Sequence, residues 1–110
     1  MTANYSVVIV KSAERDIKHI YNYIKKNDCI ENAKYVFNQL LKAIKTLEMF
    51  PQRGANLAEF YGTQTVSYRE ISFKVYRIIY QINENKKTVV IQMVIDGRRN
   101  LKPILEERCK

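Results

Sequence analysis

Apolar residues recur at two different periods along this chain. They fall first at Ala13, Ile17, Ile20, Tyr21 and Ile24, then at Ala33, Val36, Phe37, Leu40, Leu41, Ile44 and Leu47. Steps of three and four residues place side chains on one stripe of a helix, so each run predicts an amphipathic helix with a single buried side. Ser12 suits the N-cap of the first helix, with Glu14 and Asp16 in a first turn where acids complement the helix dipole. The polar run Lys25-Lys26-Asn27-Asp28 marks its end. The second helix should begin near Glu31 and stop at Phe50-Pro51, because a residue that precedes proline disfavours the α region. So short a link makes the pair an antiparallel hairpin.

The other period is two. Residues 5–10, 66–71, 75–82 and 89–95 are short, β-branched or aromatic, and read as strands. The polar stretch 83–87 joins the last two as an antiparallel hairpin. Residues 51–64, with Pro51, Gly54 and Gly62, read as loop, and residues 101–108 as a short helix with Leu101, Ile104 and Leu105 on its apolar side. The order is β-α-α-β-β-β-(α). It predicts one α+β domain over residues 1–110, with an N-terminal helical hairpin packed on one face of a small, mainly antiparallel sheet. A chain of 110 residues that is 46% apolar can bury a core of its own.

Alternation also sorts the strand residues by face. Tyr76, Ile78, Tyr80 and Ile82 lie together, as do Val89, Ile91, Met93 and Ile95, and these apolar sets should meet the helices. The opposite face then gathers Arg77, Gln81, Gln92 and Asp96. A guanidinium inside so apolar a strand is costly unless its face is wet or paired. Two readings follow: a working surface for an anion or a protein, or a solvated face closed by an Arg77–Asp96 ion pair. Arg69, Arg98 and Arg99 stand at the strand edges nearby.

The formal net charge of +8 favours polyanions or acidic protein partners. His19 is the sole histidine and falls on the first helix, which makes a histidine-based nucleophilic site improbable. The chain has neither common glycine-rich phosphate loop, and no cluster of carboxylates suited to a metal-dependent nuclease. No cofactor is therefore expected. Metal-free phosphate chemistry on Arg77, Arg98 and Arg99 would still need a general acid or base, for which Tyr68, Glu70, Tyr80 and Asp96 are the available groups. Cys29 and Cys109 lack metal-ligand spacing and read as unlinked thiols in a reducing cytosol, with a disulfide to the tail as the alternative. The N-terminus has no signal-peptide pattern and no stretch approaches the ~18 apolar residues of a membrane span, so a cytoplasmic protein without membrane attachment is expected.

An ordered set of residues carries a resemblance. Tyr5-x-Val7 leads to Ala13-x-x-Asp16-Ile17-x-x-Ile20-x-x-Tyr23-Ile24, then to Ala33, Leu40, Ile44, Leu47, Pro51 and Gly54. Tyr68-Arg69-Glu70, Tyr76-Arg77-Ile78-Ile79-Tyr80, Gly97-Arg98-Arg99, Leu101, Leu105 and Arg108 complete it. From Tyr5 to Arg108 the chain resembles the RelE/ParE superfamily of type II toxin–antitoxin toxins, often labelled plasmid stabilisation proteins. The resemblance implies a bacterial or archaeal toxin neutralised by a cognate antitoxin whose C-terminal segment folds as it wraps the toxin.

It also implies one of two targets. RelE-like members cut mRNA in the ribosome without metal, and Arg77 with Arg98 or Arg99 matches the arginines they use on the phosphate. ParE-like members poison DNA gyrase. No Tyr or His follows Tyr80 here, and Asp96 stands where many RelE-like relatives have histidine, so a carboxylate would repel the phosphate. Together with the long hairpin and its Pro51-x-x-Gly54 exit, these departures favour the ParE-like branch, with Arg69, Arg77, Asp96, Arg98 and Arg99 contacting target or antitoxin. The alternative is the ribosome-dependent mRNA endonuclease, with Arg77, Arg98 and Arg99 as its catalytic set.

Overall fold

Residues 4–57 and 68–98 are described by the computed structural model of the chain. Strand β1 (Ser6–Ile9) leads into helix α1 (Lys11–Asn27) and helix α2 (Ile30–Lys45). Two short 3-10 turns, Thr46–Glu48 and Pro51–Arg53, precede strands β2 (Ala55–Asn56), β3 (Arg69–Phe73), β4 (Tyr76–Asn83) and β5 (Thr88–Asp96). The sheet order is β1-β5-β4-β3-β2, with β1 parallel to β5 and the remaining pairs antiparallel. This is the expected α+β architecture, two helices on a five-stranded mixed sheet. No described helix is long and apolar enough to cross a membrane.

The helical stripes are core. Ala13, Ile17 and Ile24 of α1 and Ala33, Val36, Leu40 and Ile44 of α2 are buried against Ile71, Ile78, Tyr80, Val89, Ile91 and Val94 of the sheet. Each fully buried Ile or Leu contributes about 1.5–3 kcal/mol of transfer free energy. Tyr21 and Phe37 meet edge to face across the hairpin, with ring centroids 6.0 Å apart.

Several boundaries differ from the sequence reading. Helix α1 starts at Lys11 with Val10 as its cap, so Ser12 sits inside the first turn and caps nothing. Cys29 caps α2, its Sγ accepting the Asn32 N–H at 3.4 Å. Regular α-helix stops at Lys45, before Phe50-Pro51, and Leu47 is buried from a 3-10 turn instead. The stretch expected as loop contributes β2 to the sheet edge. Val66, Ser67, Arg99 and the expected helix over 101–108 lie outside the described residues.

The largest correction concerns the faces of β5. Ile79 pairs with Met93 while the next residue, Tyr80, pairs with Ile91, so Gln92 is an extra residue and β5 bulges. Beyond the bulge the alternation is inverted. Val94 and Asp96 join Ile78 and Tyr76 on the helix-bearing face. Met93 and Ile95 join Ile79 on the other, where Leu57 and Tyr68 complete a second buried cluster. Gln92 Nε2 donates to Gln81 Oε1 on that face. The second face is thus largely apolar, not a uniformly wet surface, and Asp96 is not on it.

A carboxylate from α1 holds the inverted strand in place. Strand β1 has turned into α1 beyond its Ile9–Ile91 pair, and Asp16 Oδ2 accepts the N–H of Val94 at 3.0 Å. A hydrogen bond to a charged group contributes about 1.5–3 kcal/mol. Asp16→Ala should therefore lower the unfolding free energy by roughly 2 kcal/mol in urea melts and speed amide exchange at Val94. A loss below ~0.5 kcal/mol would refute this role for Asp16.

Candidate functional site

Not all the arginines singled out in the sequence converge on one spot. Arg69 pairs in register with Tyr80 on the helix-bearing face, and Arg77 pairs with Ile95 on the opposite one. Arg98 follows β5 at the rim, with its side chain 76% exposed. Arg99 lies outside the described residues.

Arg69 is used by the fold. Its Nη1 donates to the carbonyl of Gly54 at 2.7 Å and, more weakly, to that of Gln52 at 3.4 Å. The same turn is bound from below by Tyr80, which is completely buried. The Tyr80 hydroxyl donates to Pro51 O at 2.7 Å and accepts the Gly54 N–H at 3.0 Å. Burial pushes the Tyr80 phenol up, so it stays a neutral donor. Nearby, Glu84 accepts from Tyr5 Oη at 2.5 Å and Gln52 Nε2 at 3.0 Å, bonds that hold its carboxyl below the usual range.

Arg77 is paired, but not with Asp96. Lys74 and Val75 form a two-residue turn between β3 and β4, since Phe73 pairs with Tyr76. Lys74 takes a positive φ of 55° there. That register puts Glu70 diagonally across from Arg77, and Arg77 Nε donates to Glu70 Oε1 at 2.6 Å. Both side chains are largely shielded, at 17% and 25% exposure. Asp96 instead takes Arg98, whose Nε lies 2.9 Å from Oδ1 and whose Nη2 lies 2.5 Å from Oδ2. This bond raises the Arg98 pKa further, and the Tyr76 phenol beside Asp96 is raised by its own burial first and by the carboxylate second.

These groups border a shallow groove of about 520 Å³ at one end of β3, β4 and β5, lined by Glu70, Ser72, Lys74, Arg77, Gly97 and Arg98. Gly97 makes the groove possible. Its N–H donates to Val75 O at 2.5 Å, and a Cβ there would come within 2.9 Å of both that oxygen and Arg77 Cδ. At the rim the Lys74 ammonium stands 5.4 Å from the Tyr35 ring centroid and 5.9 Å from that of Phe73. Sequence reasoning missed Lys74 and the role of Glu70 as partner to Arg77. The signal available was Lys74-Val75 as a hairpin turn, hidden because neither residue is a usual turn former.

Of the remaining groups considered, the two tyrosines are engaged or buried and the histidine is exposed. Tyr80 binds the Pro51–Gly54 turn, Tyr68 lies in the second apolar cluster, and His19 is exposed on α1. Among the described residues, no three His, Cys, Asp or Glu side chains gather where one metal ion could bridge them. Among the described residues the groove presents the pairs Arg77–Glu70 and Arg98–Asp96 together with the Lys74 ammonium, groups able to grip a polar protein surface.

The sequence matches the family described as ParE toxin of type II toxin-antitoxin system, parDE, over residues 7–101. Its fold is similar to that of the chromosomal ParDE system of P. aeruginosa, at a TM-score of 0.67 and 15% identity, covering 86% of this chain and 98% of that one. The RelBE2 toxin–antitoxin complex of Mycobacterium tuberculosis gives 0.63 at 19% identity, covering 87% and 94%. The archaeal RelE–RelB complex of Pyrococcus horikoshii gives 0.63 at 20% identity, covering 88% and 99%. No curated protein sequence is significantly similar to the chain. With a family match across most of its length and the helical hairpin on a mixed sheet that such toxins share, the chain belongs to the ParE toxins of type II toxin–antitoxin systems, within the RelE/ParE superfamily.

Proposed function

We propose that this toxin arrests growth by binding DNA gyrase and blocking replication, that it acts in the cytoplasm, and that a cognate antitoxin neutralises it. The observation that carries the reading is the neutralisation of both described groove arginines, Arg77 by Glu70 and Arg98 by Asp96. A site that stabilises a phosphoryl transition state needs cationic forks facing the phosphate, and a carboxylate beside each fork opposes that charge. The same pairs are compatible with a protein interface, where charge pairs fix register and orientation. Solved relatives that contain a toxin with its antitoxin support the antitoxin as partner.

The RelE-like reading, an mRNA endonuclease working in the ribosome, draws on the same arginines and on the shared fold. Purified toxin should inhibit supercoiling by gyrase, and its induction alone should raise the DNA-damage response while mRNA stays intact. New codon-phased mRNA 5′ ends without early damage would overturn the gyrase reading in favour of the nuclease.

A further inference from the structure

A second surface lies at the opposite end of the sheet from the arginine groove, where β4 turns into β5 and α2 ends. Gln52 Nε2 donates to Glu84 Oε2 at 3.0 Å and the Tyr5 N–H donates to Glu48 O at 2.8 Å, which joins the two 3-10 turns, β1 and the β4–β5 turn. Residues 42–56 and 83–87 carry five cations, Lys42, Lys45, Arg53, Lys86 and Lys87, against two acids, Glu48 and Glu84. All five cations are exposed. Both acids are engaged within the chain, Glu84 by Tyr5 and Gln52, and Glu48 at 3.9 Å from Lys45.

An apolar tip stands on this surface. Met49 and Phe50 are 48% and 59% exposed, and with Pro51 and Arg53 they border a cavity of about 610 Å³. The loop beneath the tip is closed on itself. Arg53 Nη1 donates to Thr46 Oγ1 at 2.8 Å, and the Phe50 N–H donates to Thr46 O at 3.0 Å. Lys42 and Lys45 precede the tip, Arg53 follows it, and the β4–β5 turn adds Lys86 and Lys87. A fixed apolar wedge among cations is the arrangement that seats a side chain between base steps while neutralising the phosphates around it. We propose that this end of the toxin binds duplex DNA, with the five cations on phosphates and Phe50 against the bases. The proposal goes beyond the gyrase reading and is measured on DNA alone. DNA and gyrase would be held at opposite ends of the sheet.

The probe is a labelled mixed-sequence duplex about two helical turns long, titrated with the intact toxin and followed by fluorescence anisotropy. Binding should saturate, and five phosphate contacts predict a slope of roughly −4 in log affinity against log salt. Lys42→Gln/Lys45→Gln/Lys86→Gln should weaken binding at least ~10-fold and bring the slope to about −2. Phe50→Ala should lower affinity about 10-fold at an unchanged slope. It should also abolish the fluorescence rise of a 2-aminopurine base in the duplex, which reports unstacking by the wedge. Circular dichroism should be the same for all three proteins. Absence of saturable binding, or equal affinity in the triple variant, would overturn the site. Tighter binding of the separated strand than of the duplex would overturn the duplex assignment, and an undiminished 2-aminopurine signal in Phe50→Ala would remove Phe50 from the bases. Failure of the unaltered toxin to inhibit gyrase would refute the target reading and leave the DNA result standing.

Discussion

Gly54→Ala should be among the most damaging single substitutions in this fold, although Gly54 has ordinary extended backbone angles, φ −78° and ψ 152°. The reason is space, not conformational freedom. A Cβ at residue 54 would collide with the Tyr80 hydroxyl and come within 2.6 Å of the Glu70 carbonyl oxygen. The latter is backbone within β3, paired with a strand on each side, and cannot swing aside. Relief requires the Pro51–Gly54 turn to lift away, and lifting it breaks both Tyr80 hydrogen bonds and the Arg69 contact to Gly54 O. Overpacking alone costs about 1–3 kcal/mol, and stranding buried polar groups adds about 1–3 kcal/mol. The expected loss is about 3 kcal/mol, or a midpoint lowered by roughly 10 °C in a domain of this size. Tyr80→Phe should cost about 1–2 kcal/mol by itself, because it strands Pro51 O and the Gly54 N–H. Since both changes disrupt one node, the double variant should be less destabilised than the sum of the singles. Urea melts of the four proteins measure this. A loss under ~0.5 kcal/mol for Gly54→Ala would show that the turn does not lie against β3 as described.

The same node shows what the sequence could and could not disclose. The two helices and β4 were legible because their apolar spacing is regular and their burial one-sided. Tyr76, Ile78, Tyr80 and Ile82 do face the hairpin. Strand β5 was misread beyond its middle. Every residue from Val89 to Ile95 except Gln92 is apolar, so a shift of alternation at the bulge leaves no trace in composition, and no glycine flags it. That inversion takes Asp96 off the face of Arg77, which is why the Arg77–Asp96 pair, one of the two readings of that face, gives way to Arg77–Glu70 and Arg98–Asp96. The structural use of Arg69 was equally hidden. Its acceptors are backbone carbonyls of a turn 15 and 17 residues away, and a carbonyl has no sequence signature.

Reversing Arg98 and Arg99 together should abolish growth arrest while leaving the domain folded. The expected stability cost is small. The Arg98 side chain is 76% exposed, its partner Asp96 is at the rim, and exposed ion pairs contribute about 0–1 kcal/mol. Binding is a different matter. An arginine anchored in a protein interface is commonly a hot spot, where truncation costs about 2 kcal/mol or more, over 30-fold in affinity. A glutamate at 98 adds repulsion from Asp96 and from any acidic groups of the partner. Arg69 is the instructive contrast, because its guanidinium is committed to Gly54 O and its loss should act through the turn instead. Induction of Arg98→Glu/Arg99→Glu should give normal colony formation, with a thermal midpoint within about 3 °C of the parent. Persisting growth arrest in the double variant would remove these residues from the target interface.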